Sequence, residues 1–238
     1  MNKEEFINEV ELLGIKVSDD NLLKLDIYLN FLKEYNSHTN LTAIKDDNDI
    51  YLKHFYDSLT IIKAVDLNNY NNLIDIGSGA GFPGMVLKIF FPNLDVTLID
   101  SNNKKTTFLK QLAEKLNLNV NIINERVENF SKDNLNKYDI VTSRAVANLR
   151  VLSEISLPLV RKDGYFVPLK AKLDKNLEDS VETIKILDSK IINKVKFELF
   201  NNSGTRNILV IQKNNETEEK ILRPYDKIIK KPLKKKLK

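Results

Sequence analysis

Apolar positions change their spacing once along this chain, near residue 70. In the first third they recur every three to four residues. "SDDNLLKLDIYLNFLKEYN" sets Leu22, Leu25, Leu29 and Leu32 on one side of a helix, with Ser18 placed to cap its first turn. "DIYLKHFYDSLTIIKAV" repeats that spacing with Tyr51, Phe55, Leu59 and Ile62. Between them "NSHTNLTAI" is rich in cap and turn formers and reads as a loop. From residue 72 short apolar runs alternate with helical stretches. "NLIDIG" precedes 83–91, "DVTLID" precedes 104–117, "NVNIIN" precedes a short piece, "YDIVTSR" precedes 149–161, and "YFVPLKA" precedes 173–188. Strand–helix units of this length predict a parallel sheet covered on both faces. The last two runs, "KVKFELF" and "RNILVIQK", are separated only by "NNSGT", too short for a crossover, so they pair antiparallel. The expected fold is α/β: a seven-stranded, mostly parallel, Rossmann-like sheet with a terminal antiparallel hairpin. Residues 1–66 form a helical extension, 67–215 the sheet domain and 216–238 a basic tail.

The densest chemistry lies in "LIDIGSGAGFPG", Leu73 to Gly84, where a buried strand runs into a glycine-rich loop. Two templates fit it. Gly79, Gly81 and Gly84 make G-x-G-x-x-G, the dinucleotide pattern. Asp75 and Gly77 extend it to acid-x-Gly-x-Gly-x-Gly. A pyrophosphate would sit on the loop amides and helix start, where a neighbouring carboxylate repels it. S-adenosylmethionine instead presents a sulfonium and an α-ammonium, which Asp75 suits. A strand-end acid that caps the loop amides is the plainer account of Asp75. Asp100, closing the second strand, can accept both ribose hydroxyls of either cofactor. In "NERVENF", Val127 and Glu128 fall where the base of a bound nucleoside would lie, one to pack and one for polar contact. A parallel sheet ending in one hairpin is the pattern of methyltransferases that use S-adenosylmethionine. An NAD-dependent oxidoreductase and a non-catalytic RNA-binding assembly factor stay open as alternatives.

Composition matters mainly through what is missing. The 238 residues contain no cysteine, which excludes disulfides and thiolate chemistry, and only His38 and His54 offer imidazole, a poor basis for a metal site. "MNKEEFINEVELL" lacks the charge and apolar pattern of a signal peptide, and no apolar run reaches membrane-spanning length. A cytoplasmic protein with no metal and no obligate partner chain, a monomer, is expected. Net charge is only +4, but "DKIIKKPLKKKLK" holds seven lysines. Such a tail is attracted to polyanions, or is simply solvated. For a methyl-group acceptor, pyrimidine C5 would need a cysteine adduct, and exocyclic amines use an Asn/Asp-Pro-Pro-aromatic motif where this chain has "TSRAVANL". An imine-type ring nitrogen such as purine N7 needs neither. Arg144, ending the fourth strand, faces the cofactor crevice of such a sheet, to bind phosphate or stack on a base; a structural salt bridge is the alternative.

"DIGSGAGFPG", "LIDSNNKKTTFL", "RVENF", "YDIVTSRAVANLRVL" and "YFVPLKA" together resemble the glucose-inhibited division protein B family, with "YNSHTNLTAI" and "KHFYDSLT" resembling its helical segment. The resemblance implies a methyltransferase placing a methyl on N7 of one guanine in bacterial 16S ribosomal RNA, alone or in the small ribosomal subunit, from S-adenosylmethionine. It implies that Gly77 and Phe82, beside Gly79, line the cofactor, that Val127 and Glu128 hold its adenine side, and that Arg144 borders the site. Lys170, Arg206 and Arg223 are candidate RNA contacts. Lys170 is followed by Ala171 where the family often has glycine, and Asp226 stands in a part expected to carry glycine. No catalytic residue is assigned, and His54 and Asp57 lie in a family-like segment without a derived role.

Overall fold

The sheet appears where the apolar spacing shifts. In a computed structural model, which describes residues 1–144, 147–172, 177–231 and 233, the strands are β1 (Asn72–Ile76), β2 (Asp95–Asp100), β3 (Asn121–Asn124), β4 (Tyr138–Arg144), β5 (Val160–Lys170), β6 (Ser189–Glu198) and β7 (Thr205–Lys213). They lie in the order β3-β2-β1-β4-β5-β7-β6. The first five are mutually parallel, and β7 runs antiparallel to both β5 and β6. The expected sheet and terminal hairpin are therefore present. Strand order reverses between β1 and β4, so a crevice opens at their carboxyl ends, the usual ligand position in such sheets.

Alternation along β1 sends its side chains to two cores. Leu73 joins a cluster with α5 (Gly84–Phe90) and α6 (Asn103–Leu116), whereas Ile74 and Ile76 join one with α8 (Leu149–Ser156) and α9 (Leu177–Ile186). The helices α1 (Lys3–Leu12) and α2 (Asp19–Thr39) add a layer over the first cluster. Ser18 caps α2 as expected, accepting from the Asn21 amide at 3.2 Å. Leu25, Leu29 and Leu32 are buried and Leu22 is half-buried. Phe31 stacks on Phe108 of α6 at 5.2 Å between ring centres. Residues 1–66 thus share one continuous core with a face of the sheet.

Three expected boundaries shift. After α3 (Asp47–Ile50) the chain makes a π turn (Tyr51–Tyr56), α4 (Asp57–Leu59) and a 3₁₀ turn (Thr60–Lys63). The number of residues per turn changes along this segment, so a fixed three-to-four spacing does not hold one face. Tyr51, Phe55 and Leu59 are buried, but Ile61 takes the next core position and Ile62 is half-buried. The helix expected over 149–161 ends at Ser156. Pro158 sits in a 3₁₀ turn and β5 already begins at Val160. The tail is not wholly solvated: after α7 (Val127–Phe130) and the hairpin, the chain forms α10 (Tyr225–Lys230), whose Ile228 is buried in the second core. Residues 173–176 of the expected fifth helix and 234–238 of the tail lie outside the described residues, as do Ala145 and Val146 of "SRAVANL".

Candidate functional site

The glycine loop is folded onto itself and onto two carboxylates. Gly77 and Ser78 donate to Ile99 O at 2.8 and 3.2 Å, and Gly81 and Phe82 donate to Ser78 O at 2.8 and 3.1 Å. Gly79 N donates to Asp100 Oδ2 at 3.0 Å, and Gly84 N to Asp75 Oδ2 at 2.9 Å. The amides of Gly79, Gly81, Phe82 and Gly84, which such a loop could offer to a pyrophosphate, are thereby already spent, two of them on carboxylates. The close packing explains Gly84. A Cβ there would meet Leu98 Cδ2 at 2.3 Å and Asp75 Cβ at 2.9 Å. Gly77, by contrast, holds a left-handed φ of 67° and lines the cleft.

That cleft, about 440 Å³, opens beside the ends of β1, β2 and β4. Gly77, Asp100, Val127, Glu128 and Arg144 all border it, so five of the expected cofactor residues converge. Asp100 is buried; its second oxygen accepts from Asn102 N at 2.8 Å, and Lys105 Nζ lies 3.6 Å from Oδ2. Glu128 accepts from Arg126 Nε at 2.7 Å. Asp75 behaves differently. Strand alternation turns it toward α5, fully buried, with Oδ1 lacking any partner among the described residues. Burial pushes its carboxyl up to about 7, against the opposing pull of the Gly84 amide and Arg144.

Phe82 packs between the loop and the helical layer. The rings of Tyr28 and His54 lie parallel to it, with centres at 5.3 and 4.3 Å, and the Arg144 guanidinium is 5.2 Å from its centre. Tyr28 OH also donates to Ala80 O. Arg144 is the hub of this corner. Nη1 donates to Lys53 O at 2.9 Å and to Asp57 Oδ2 at 3.1 Å, and Nη2 reaches His54 Nδ1 at 3.1 Å. Burial, then the Arg144 charge, lowers His54 to about 3. The ring is neutral, so Nδ1 accepts from the guanidinium and Nε2 donates to Thr42 Oγ1 at 2.9 Å. Arg206 Nε meets the other Asp57 oxygen at 2.8 Å. One buried carboxylate thus holds two guanidiniums.

Lys170 ends β5 and donates to Ala147 O at 2.8 Å. It pairs in register with Asn207, so Arg144, Lys170 and Arg206 share one sheet edge. Arg223 is elsewhere engaged. Its Nε and Nη2 grip the buried Glu154 carboxylate at 2.5 and 2.7 Å, and Nη2 donates to Lys231 O.

The likeness to known proteins points the same way. A family model described as GidB, rRNA small subunit methyltransferase G, matches residues 21–209. The chain belongs to this family. It is 45% identical to the ribosomal RNA small subunit methyltransferase G of Bacillus licheniformis over 94% of this chain and 95% of that one. For the protein of the same name from Staphylococcus saprophyticus the identity is 44%, over 87% and 88%. Among solved structures, the fold resembles a precorrin-6y C5,15-methyltransferase from Geobacter metallireducens (TM-score 0.50, 16% identity, 67% of this chain and 87% of that one). It also resembles StiE O-MT (TM-score 0.54, 15% identity, 72% and 77%). These are class I methyltransferase folds.

Within the family frame, sequence patterns miss the partners that organise the corner. Tyr28 carries no signal beyond helical spacing, and the bond it makes depends on a loop 52 residues away. Asp57 and His54 are visible in the sequence only as residues of a family-like segment. Tyr225, on the cleft wall, has no motif to mark it, and Arg126 beside it shows only as the first residue of "RVENF".

Proposed function

We propose that this chain transfers a methyl group from S-adenosylmethionine to N7 of a guanine in small-subunit ribosomal RNA. The cofactor choice rests on one observation: Asp75 and Asp100 each occupy a loop amide that a diphosphate could use. Asp100, on the cleft wall beside this loop, repels phosphate and favours a cationic nucleoside. The residues present fit that group. Asp100 lines the cleft and retains lone pairs for hydroxyls, and Gly77 leaves its cleft wall without a side chain.

When bound, S-adenosylmethionine supplies an electrophilic methyl on a sulfonium. The chain's own residues then have a limited task. A purine N7 carries an in-plane lone pair and no proton at neutral pH, so no general base is required. Gly77 and Arg144 border the reacting end of the cleft, Val127 and Glu128 its base end. Catalysis rests on orientation and on keeping water out, effects worth roughly 7–11 kcal/mol in well-ordered systems. The two guanidiniums held at Asp57 suit an RNA phosphate or the carbonyl edge of the target base. The RNA target is carried over from the named relatives. A cytoplasmic setting follows from such a substrate, and no helix among the described residues is long and apolar enough to cross a membrane.

The test is reverse-transcription mapping of 16S ribosomal RNA from cells lacking this gene. One N7-methylguanine is expected to disappear and to return with the gene supplied in trans. An unchanged modification profile defeats the substrate assignment.

A further inference from the structure

One lining residue of the cleft comes from the far end of the chain. Tyr225 opens α10 and lines the same cleft as Gly77, Asp100 and Val127, although it lies beyond residues 21–209 matched by the family model. Its ring centre is 4.5 Å from the Arg126 guanidinium, and Arg126 in turn holds Glu128. The tail therefore reaches the segment read as the base end of the cofactor site.

This contact is held by three separate anchors. Ile228 is 2% exposed within the second core. Arg150 donates to the α10 carbonyls of Ile228 at 2.9 Å and Ile229 at 3.3 Å, satisfying groups that a helix end leaves open. Arg223 clamps Glu154 of α8 with two hydrogen bonds. A six-residue helix does not persist alone in water, so its order derives from this docking. A ring fixed before the ligand arrives loses little freedom on binding, which raises affinity.

We infer that Tyr225 is a cofactor-binding residue: its ring forms the outer wall against the purine of the nucleoside cofactor, facing a site whose inner wall includes Val127. The inference rests on the methyl-donor reading given above. A purine offers a flat, sequence-independent π face, and an aromatic neighbour on such a face is worth about tenfold in affinity. The hydroxyl is not needed for this; the ring is.

Isothermal titration of the full chain with S-adenosylhomocysteine tests it. Tyr225→Ala and Tyr225→Leu should each bind about tenfold more weakly, the leucine keeping apolar volume while losing the π face. Tyr225→Phe should stay within about twofold, and Asp226→Asn, on the exposed side of the same helix, should match the parent. At an S-adenosylhomocysteine concentration that saturates the parent but not Tyr225→Leu, tryptic cleavage after Lys227 and Lys230 should slow in the parent and slow less in the variant. Parent-like affinity in both ring-less variants, equal loss in Tyr225→Phe, or cleavage that ignores the ligand overturns the assignment. If the parent itself binds no S-adenosylhomocysteine, the methyl-donor reading falls and takes this one with it, a result distinct from the others.

Discussion

Arg144 Nη1 lies 3.1 Å from Asp57 Oδ2, joining the end of β4 to the helical layer across 87 residues of sequence. The pair is nearly enclosed, with side-chain exposures of 14% and 4%, and Arg206 occupies the second oxygen of the same carboxylate. Replacing Asp57 by Ala leaves two guanidiniums facing one another without their counter-charge. The expected loss is about 3–5 kcal/mol of unfolding free energy. Urea denaturation measures it, and a change below about 1 kcal/mol would show that solvent already screens the cluster.

His54 sets part of the acid limb of stability. Its folded-state value of about 3 lies below the ordinary 6.5, so between these values the unfolded chain binds the proton and the native one does not. Stability therefore falls as pH drops from 6.5 toward 3, by up to about 1.4 kcal/mol per pH unit from this group. His54→Gln removes that dependence. Comparing urea midpoints of parent and variant at pH 7.5 and 4.5 should give a difference that moves in favour of the variant in acid.

Asp75 acts with the opposite sign. Its carboxyl is raised to about 7, so the native state holds a proton that the unfolded chain has released between pH 4 and 7. Stability contributed by this group is present in acid and is lost as pH rises through 7. Asp75→Asn keeps an acceptor for the Gly84 amide and removes the ionisation. Its stability relative to the parent should rise from pH 4 to 7 by up to about 4 kcal/mol and then level off. Parallel pH profiles of the two proteins would mean that Asp75 titrates as an ordinary carboxylate.

Gly77→Arg tests the cleft directly. The left-handed φ of 67° costs an arginine about 1 kcal/mol or more, and the side chain enters the space beside Asp100. S-adenosylhomocysteine affinity should fall at least about 100-fold, while far-UV circular dichroism stays that of the parent. Retained affinity would put the ligand elsewhere.

Lys227, Lys230 and Lys231 are exposed at the end of the chain. Changing all three to Gln should flatten the salt dependence of RNA binding by about 0.7 in log–log slope for each phosphate that is no longer neutralised. A filter-binding series across salt concentrations reads this slope, and an unchanged value would mean that these lysines touch no phosphate.

Much of this fold is legible in the sequence because it depends on short-range periodicity. Alternating runs locate all seven strands, and a five-residue gap forces the final antiparallel pair, since no crossover fits it. The cleft residues Gly77, Asp100, Val127 and Glu128 stand out because strand ends in such a sheet converge on one edge. Periodicity fails wherever the backbone changes its repeat, as at Ile62 after the π turn, or where a proline ends a helix, as at Pro158.

The amino-acid order alone determined the strands, their sequence and the acid-bearing glycine loop, because each is a local pattern of side-chain spacing. Only the tertiary structure decided which way each charged group faces. Alternation along β1 turns Asp75 into the loop and away from the cleft, and distant contacts commit Arg144 and Arg206 to Asp57 and Arg223 to Glu154. Those partners lie 69 to 149 residues apart, and no local propensity reports on them.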